Sequence, residues 1–375
     1  ADLPDGVGTH YLVDDIYVHD VYGDNTKWSN GIQFRVSGTT TPTHFDDLVV
    51  QNSRITNVDR EGLTNRTTWM CRPIYGSTDG CGGLNNWRPN TRIVFRGNTI
   101  SNTGGDGIVL RAADRGLVER NHVYDIAMRP MGSNVGIWTI NSDDSLIQYN
   151  DVHDVRKLPD NGDGQAFDSD YGNNRAVFQY NYSHDNEGGF MLFCGGCGSG
   201  STTNDTVVRY NLSRNDSGRI FDVTRENNAQ VYNNTVYLPE GSTAAVVYQR
   251  SVTNNMVLRN NVFYNLGTGG YTGPKYTPEN FTWTGNTFYG NHPTNEPADT
   301  EKSTKNPRLL NPGGLNPVDY RLHPGSPARR AGTPITDNGG RDYFGAPVPD
   351  GCRPDRGFHQ LSHPRPCLTA SSSQD

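Results

Sequence analysis

The sequence predicts an all-β fold, a right-handed parallel β-helix (solenoid) with an irregular C-terminal segment, and three observations predict it. A motif of the form apolar-x-x-Asn-x-apolar recurs along most of the chain. Residues around each copy alternate apolar and polar, the period of a strand rather than a helix. Gly, Asn and Asp punctuate segments only about five residues long. A repeat of roughly 20–50 residues marks a solenoid.

In chain order, the first copy is Val13-Asp14-Asp15-Ile16-Tyr17-Val18-His19-Asp20. No cap sequence precedes it, although a first coil exposes apolar surface and a strand edge. Either upstream residues were removed, or another chain or subunit covers that end. No charged-then-apolar leader opens the chain, so Ala1 reads as a mature or trimmed terminus. A further copy surrounds Asn52. The clear series then runs Phe95-Arg96-Gly97-Asn98-Thr99-Ile100, Val118-Glu119-Arg120-Asn121-His122-Val123, Ile147-Gln148-Tyr149-Asn150-Asp151-Val152 and Phe178-Gln179-Tyr180-Asn181-Tyr182-Ser183. Later copies centre on Asn211, Asn234, Asn261 and Asn286, and the gaps from Asn98 are 23, 29, 31, 30, 23, 27 and 25 residues.

An Asn at one place in every coil can hydrogen-bond a tight turn and the Asn above it, forming a ladder, and it tolerates left-handed backbone. These asparagines are therefore structural, and the glycosylation sequons at Asn181 and Asn211 are by-products of the ladder. The uneven gaps imply loops of varying length that shape a cleft on one face. The longest insertion, between Asn57 and Arg92, carries Trp69, Trp87, Cys71 and Cys81. The helix body spans 1–291. From 292 to 375 a Pro/Gly-rich segment packs on the helix and ends in the polar run Ser371-Ser372-Ser373-Gln374-Asp375, expected to be disordered.

Of 375 residues only 33% are hydrophobic and 43 are Gly, unlike a doubly wound α/β enzyme. A net charge of −7 argues against a nucleic-acid partner. No apolar run approaches the ~20 residues of a membrane span. Six cysteines fall in three local pairs, Cys71/Cys81, Cys194/Cys197 and Cys352/Cys367, which suggests disulfides and an oxidising, extracellular compartment. The Cys194-Gly195-Gly196-Cys197 pair also matches a redox or metal motif. It has no second C-x-x-C or histidine pair to complete a zinc site.

Chemistry concentrates between Asp160 and Gly196. Neighbouring coils read Gly107-Ile108-Val109-Leu110 and Gly136-Ile137-Trp138-Thr139, whereas this one reads Gln165-Ala166-Phe167-Asp168-Ser169-Asp170. With Phe167 in the core, Asp168 and Asp170 share the opposite, solvent-facing side. Clustered carboxylates repel, so a function or a bound cation is expected. Glu187 follows Asp168 by 19 residues, less than one coil, and is expected beside it on the next coil. Asp163, like Asp106 and Asp216, flanks a glycine or Ser-Gly turn and is either a site residue or a turn residue. His184 is either a site residue or a packed ring, since Tyr124 and His153 hold its place in other coils. Arg219 and Arg225 either reach a sugar or sit solvated on the surface. Trp138 is a sugar platform or a core aromatic. Asp160, Asp163, Asp168 and Asp170 offer oxygen ligands for Ca²⁺, but without EF-hand spacing, so no metal or other cofactor is assigned.

At these residues the chain resembles the right-handed parallel β-helix carbohydrate-active proteins, the pectate-lyase-like superfamily. The similarity lies in Asp163–Asp170 and Gln179–Phe190. Asp319–Ala328 and Asp355–His359 resemble the closing segment of β-helix glycoside hydrolases. The resemblance is specific for fold and much less so for activity. It implies a secreted glycoside hydrolase acting on a polysaccharide or oligosaccharide, with a lyase, an epimerase or a non-catalytic carbohydrate-binding β-helix as alternatives. The lyases of this fold commonly use Lys or Arg as base, often with Ca²⁺. The five lysines, Lys27, Lys157, Lys275, Lys302 and Lys305, all lie outside the acidic strand, which leaves only Arg219 or Arg225 for that role. In such glycosidases an Asp on one coil acts with an acid on the next. Asp168 as nucleophile, Glu187 as acid/base and Asp170 nearby are the expected catalytic set, and an adjacent-coil spacing of ~4.8 Å favours retention.

Overall fold

A computed structural model describes residues 6–361, except 25, 27, 28, 83–85, 130, 131, 160–162, 199 and 349. Each coil contributes one strand to each of three parallel sheets. Sheet A runs from Val7–Asp14 to Phe281–Thr284, sheet B from Tyr17–Val21 to Thr287–Gly290, and sheet C from Ile32–Arg35 to Tyr271–Thr272. No α-helix is present among the described residues, and none is long and apolar enough to cross a membrane.

Alternation fills the bore. Sheet A points Phe95, Val118, Ile147, Phe178 and Val208 inward, and sheet C points Ile108, Ile137, Phe167, Met191 and Phe221, all fully buried. Burying each such side chain contributes about 1.5–3 kcal/mol.

The turn from sheet A to sheet B holds the ladder. The Asn121 side chain donates to Phe95 O and to Asn150 Oδ1, each at 3.0 Å, and the Asn121 backbone N–H donates to the same Oδ1 at 3.0 Å. The pattern repeats through Asn150, Asn181, Asn211, Asn234 and Asn261, and Asp299 closes it by accepting from the Asn286 backbone and side chain. Asn181 and Asn211 are fully buried, as by-product sequons would be. Two details differ from expectation. In the coil of Asn52 the ladder position is Ser53, whose N–H donates to Asn98 Oδ1 at 3.1 Å. The left-handed residue is the one before the ladder: Asn52, Arg120, Tyr149, Tyr180 and Tyr210 have φ between 51° and 56°. The Asn anchors the turn while its predecessor takes the strained conformation.

The insertion folds back over sheet C, closed by a Cys71–Cys81 disulfide. Arg72 pins it there, donating to Gly172 O and Asp143 Oδ1 at 2.8 Å, with its guanidinium against the Tyr75 and Trp87 rings. After Gly290 the chain turns back along the outer face of sheet B. Leu309, Tyr320, Leu322, Ala328 and Phe358 cover Tyr182, Leu212, Tyr237 and Tyr264 there. Cys194 and Cys197 form a disulfide. Cys367 and the Ser371–Asp375 run lie outside the described residues.

Candidate active site

The outer face of sheet C carries the carboxylates. Phe167 faces the bore and Asp168 faces out, in register with Trp138 on the preceding coil and Leu192 on the next. Asp170 shares that face two residues on, about 6.6 Å away along the strand. Asp168 was expected to face solvent, but Trp138, Leu192 and the neighbouring coils cover it to 4% exposure. Burial, then the charges of Asp170 and Asp163, hold its carboxyl well above the usual carboxylate range. Its Oδ1 has no hydrogen-bond partner among the described residues. The Oδ1 of Asp170 accepts the Tyr171 N–H at 2.8 Å.

Beside this strand lies a cavity of about 310 Å³. Trp138, Ile140, Asp170 and Tyr171 line one side, and Thr67, Thr68, Met70 and Asp79 of the insertion line the other. Arg35, Arg66 and Arg111 complete it. Fully buried Glu61 binds Arg66 at 2.8 Å and Arg111 at 2.9 Å, which offsets part of their charge. Trp138 is thus neither a bore residue nor an open platform. It is 8% exposed, 4.9 Å beneath the Arg111 guanidinium, with part of its surface on the cavity. The Tyr171 hydroxyl donates to Asp79, and burial followed by that bond keeps it protonated.

On the other flank, Asp222 is fully buried among cations. Arg219 reaches its Oδ2 at 2.9 Å, Arg250 Nε reaches its Oδ1 at 2.8 Å, and Gln165 donates at 3.3 Å. Arg219 also lies 4.2 Å from the Tyr248 ring centre. It is therefore a paired structural cation and not a solvated one. Asp163 sits 4.0 Å from Arg250, and burial raises its pKa despite that charge.

The register separates the expected pair. Leu192, 24 residues on, stands beside Asp168. Glu187 falls five residues short of that position, roughly 16 Å of extended chain. It is exposed at the corner between sheets B and C, where its Oε2 accepts the Lys157 N–H at 2.8 Å. The adjacent-coil case for retention lapses with it. His184 is on sheet B, stacked on His153, and not beside Asp168. Arg225 lies past the end of its strand with φ 51°, at the corner towards sheet A, where its N–H donates to Val252 O at 3.1 Å. Asp216 is a buried turn anchor accepting from Ser183, Ser213 and Asn186.

Of the oxygens named for Ca²⁺, Asp163 Oδ1 lies 4.0 Å from Arg250, and Asp168 is 4% exposed. Asp160 lies outside the described residues. Asp222, Arg250, Arg111 and Tyr171 were not foreseen. Asp222 alone had a signal, as the outward residue of Arg219-Ile220-Phe221-Asp222.

A family model described as "Right handed beta helix region" matches residues 10–203 and 89–257, well over half of the chain. The chain belongs to the right-handed β-helix family. It is 29% identical over 290 residues to a lacto-N-biosidase of Bifidobacterium longum. That match covers 68% of this chain, which spans only 18% of the relative's length. Among solved structures it is similar to a GH136 lacto-N-biosidase from Eubacterium ramulus, at 22% identity and a TM-score of 0.50 over 71% of this chain and 43% of that one. It is also similar to the pectate lyase Pel9A, at 12% identity and a TM-score of 0.55 over 92% of this chain and 77% of that one. Those two structural likenesses show the fold.

Proposed function

We propose that this β-helix is the catalytic unit of an extracellular glycoside hydrolase, with Asp168 as general acid and Asp170 as the partner carboxylate. The observation that carries the reading is the state of Asp168: a buried carboxyl held towards its protonated form, with an unpartnered oxygen, beside a cavity lined by Trp138 and Tyr171. A glycosidase needs one carboxyl that still carries its proton near neutral pH and another that attacks the sugar or activates water. Two carboxylates at i and i+2 on one strand face provide the pair at about 6.6 Å between Cα atoms. Retaining and inverting enzymes differ in the distance between the carboxyl groups themselves, ~5–5.5 Å against ~6.5–9.5 Å, which the Cα spacing does not fix. The anomer released first, read by NMR, decides the stereochemistry. Asp163, Arg250, Asp222 and Arg219 position the strand on one flank, and Trp138 and Arg111 line the cavity on the other.

The lacto-N-biosidase relative supports an oligosaccharide substrate and makes lacto-N-biosides the first compounds to test. The disulfides support export. Incubation with an oligosaccharide panel tests the reading, scoring new reducing ends and unsaturated ends separately. Hydrolysis yields only the former. Unsaturated, ultraviolet-absorbing ends, or loss of turnover in chelator with rescue by Ca²⁺, would instead mark a lyase, and neither product would mark a binding protein.

A further inference from the structure

The outer face of sheet B carries a second cluster, separate from the carboxylates of sheet C. Asp151 and His153 belong to the strand Asp151–Val155, and His184 pairs with His153 from the strand Tyr182–His184. Donor atoms of Asp151, His153 and His184 all lie within 4.8 Å of one another. Oδ1 of Asp151 is 3.2 Å from Nε2 of His184, and Nε2 of His122 is 2.9 Å from Nε2 of His153. The side chains of His153 and His184 are 18% and 17% exposed, sheltered yet reachable.

The far side of each ring separates this cluster from a stack of aromatic side chains. Nδ1 of His153 meets Oδ2 of Asp154 at 2.6 Å, and Nδ1 of His184 meets Oδ2 of Asp185 at 2.8 Å. A carboxylate at Nδ1 places the proton there and leaves the lone pair on Nε2, the outer-shell arrangement of metal-ligating histidines. At His153 that lone pair accepts from His122 Nε2–H, a contact that an ion would displace. With Nδ1 protonated, the Nε2 lone pair of His184 faces the anionic Oδ1 of Asp151. That contact is stable only with positive charge between the two atoms, either a second proton or a cation. Two imidazoles and one carboxylate, with room for solvent, are the donor set of Zn²⁺ and its first-row neighbours rather than of Ca²⁺ or Mg²⁺.

We infer that Asp151, His153 and His184 form a binding site for a divalent transition-metal ion of the Zn²⁺ class, with His122 at its rim. The ion ties two successive coils together on a face the proposed hydrolysis does not use.

The test uses tag-free protein, stripped with chelator and dialysed. Zn²⁺ is titrated calorimetrically, and Co²⁺ is followed by its visible absorption. The expected result is one saturable site per chain, a Co²⁺ ligand-field band displaced by Zn²⁺, and a Zn²⁺-dependent rise in Tm. His184→Gln should abolish the band. Because that change also alters the ring stack, Asp154→Asn is the second variant. It leaves every ring in place and should weaken Zn²⁺ by about 10–100-fold, because a neutral amide oxygen is a weaker outer-shell acceptor than the carboxylate. Absence of saturable binding overturns the site and leaves the Asp151–His184 contact as a proton-mediated ion pair. Binding that both variants keep unchanged overturns it as well.

Discussion

Asp168 is where burial and chemistry meet. A carboxyl whose pKa is raised on folding stabilises the protein fully below its unfolded value, and that contribution is lost as pH rises through the folded value. Asp168→Asn removes this loss, so its Tm relative to wild type should improve as pH increases. Turnover of a natural glycoside should fall by about 10²–10⁴-fold, the scale of general acid catalysis. A parallel Glu187→Gln variant should keep near-full activity, because Glu187 caps Lys157 at a corner. Glu226 offers a test of the same linkage without catalysis. It is fully buried, and burial lifts its pKa to about 8. Wild-type stability should therefore decline between pH 4.5 and 8 relative to Glu226→Gln, as thermal melts across that range will show.

Among the elements, the ladder and the strands of sheet C differ in what could be read ahead of the structure. Asn98 through Asn286 were legible because the Asn-to-Asn gap is measured at one turn, where every coil must repeat. Phe167-in, Asp168-out was legible because period 2 is a local property of a strand. The neighbour of Asp168 was not. It depends on the lengths of the B–C corner and of the loops before Gln165 and Gly189, which the overall repeat leaves open. Asp222 and Arg250 stand 54 and 82 residues after Asp168 and meet its surroundings only through the same register. The ladder itself is testable. Asn181 makes side-chain bonds to Ile147 O, Asn211 Oδ1, and both the N–H and the side chain of Asn150. Asn181→Ala should cost about 3 kcal/mol in chemical denaturation, since it leaves buried backbone groups unpaired. Asn52→Gly should be near neutral, because that residue is exposed and left-handed.

At the level of the molecule, a solenoid is stable only where its outer faces and ends are managed. Here sheet C is partly roofed by the insertion, which makes the cavity. Sheet B is roofed by the returning segment that centres on fully buried Tyr320, whose hydroxyl donates to Gly314 O at 2.9 Å. Tyr320→Ala should lower stability by about 3 kcal/mol through the cavity it leaves, with little change in KM, since the residue lies on sheet B and the proposed site on sheet C. The Pro/Gly-rich composition announced a non-repetitive segment, but its covering role rests on scattered contacts such as Arg356 to Asn286 O at 2.9 Å, which no local pattern reveals. The proposal that this β-helix hydrolyses glycosides through Asp168 is tested most directly by the leaving-group dependence of Asp168→Asn. A general acid matters when the departing oxygen needs a proton and matters little when it does not. The variant should lose about 10²–10⁴-fold in kcat/KM on a natural oligosaccharide, yet approach wild type on the dinitrophenyl glycoside of the same sugar. Equal losses on both substrates, or no loss on either, would contradict it.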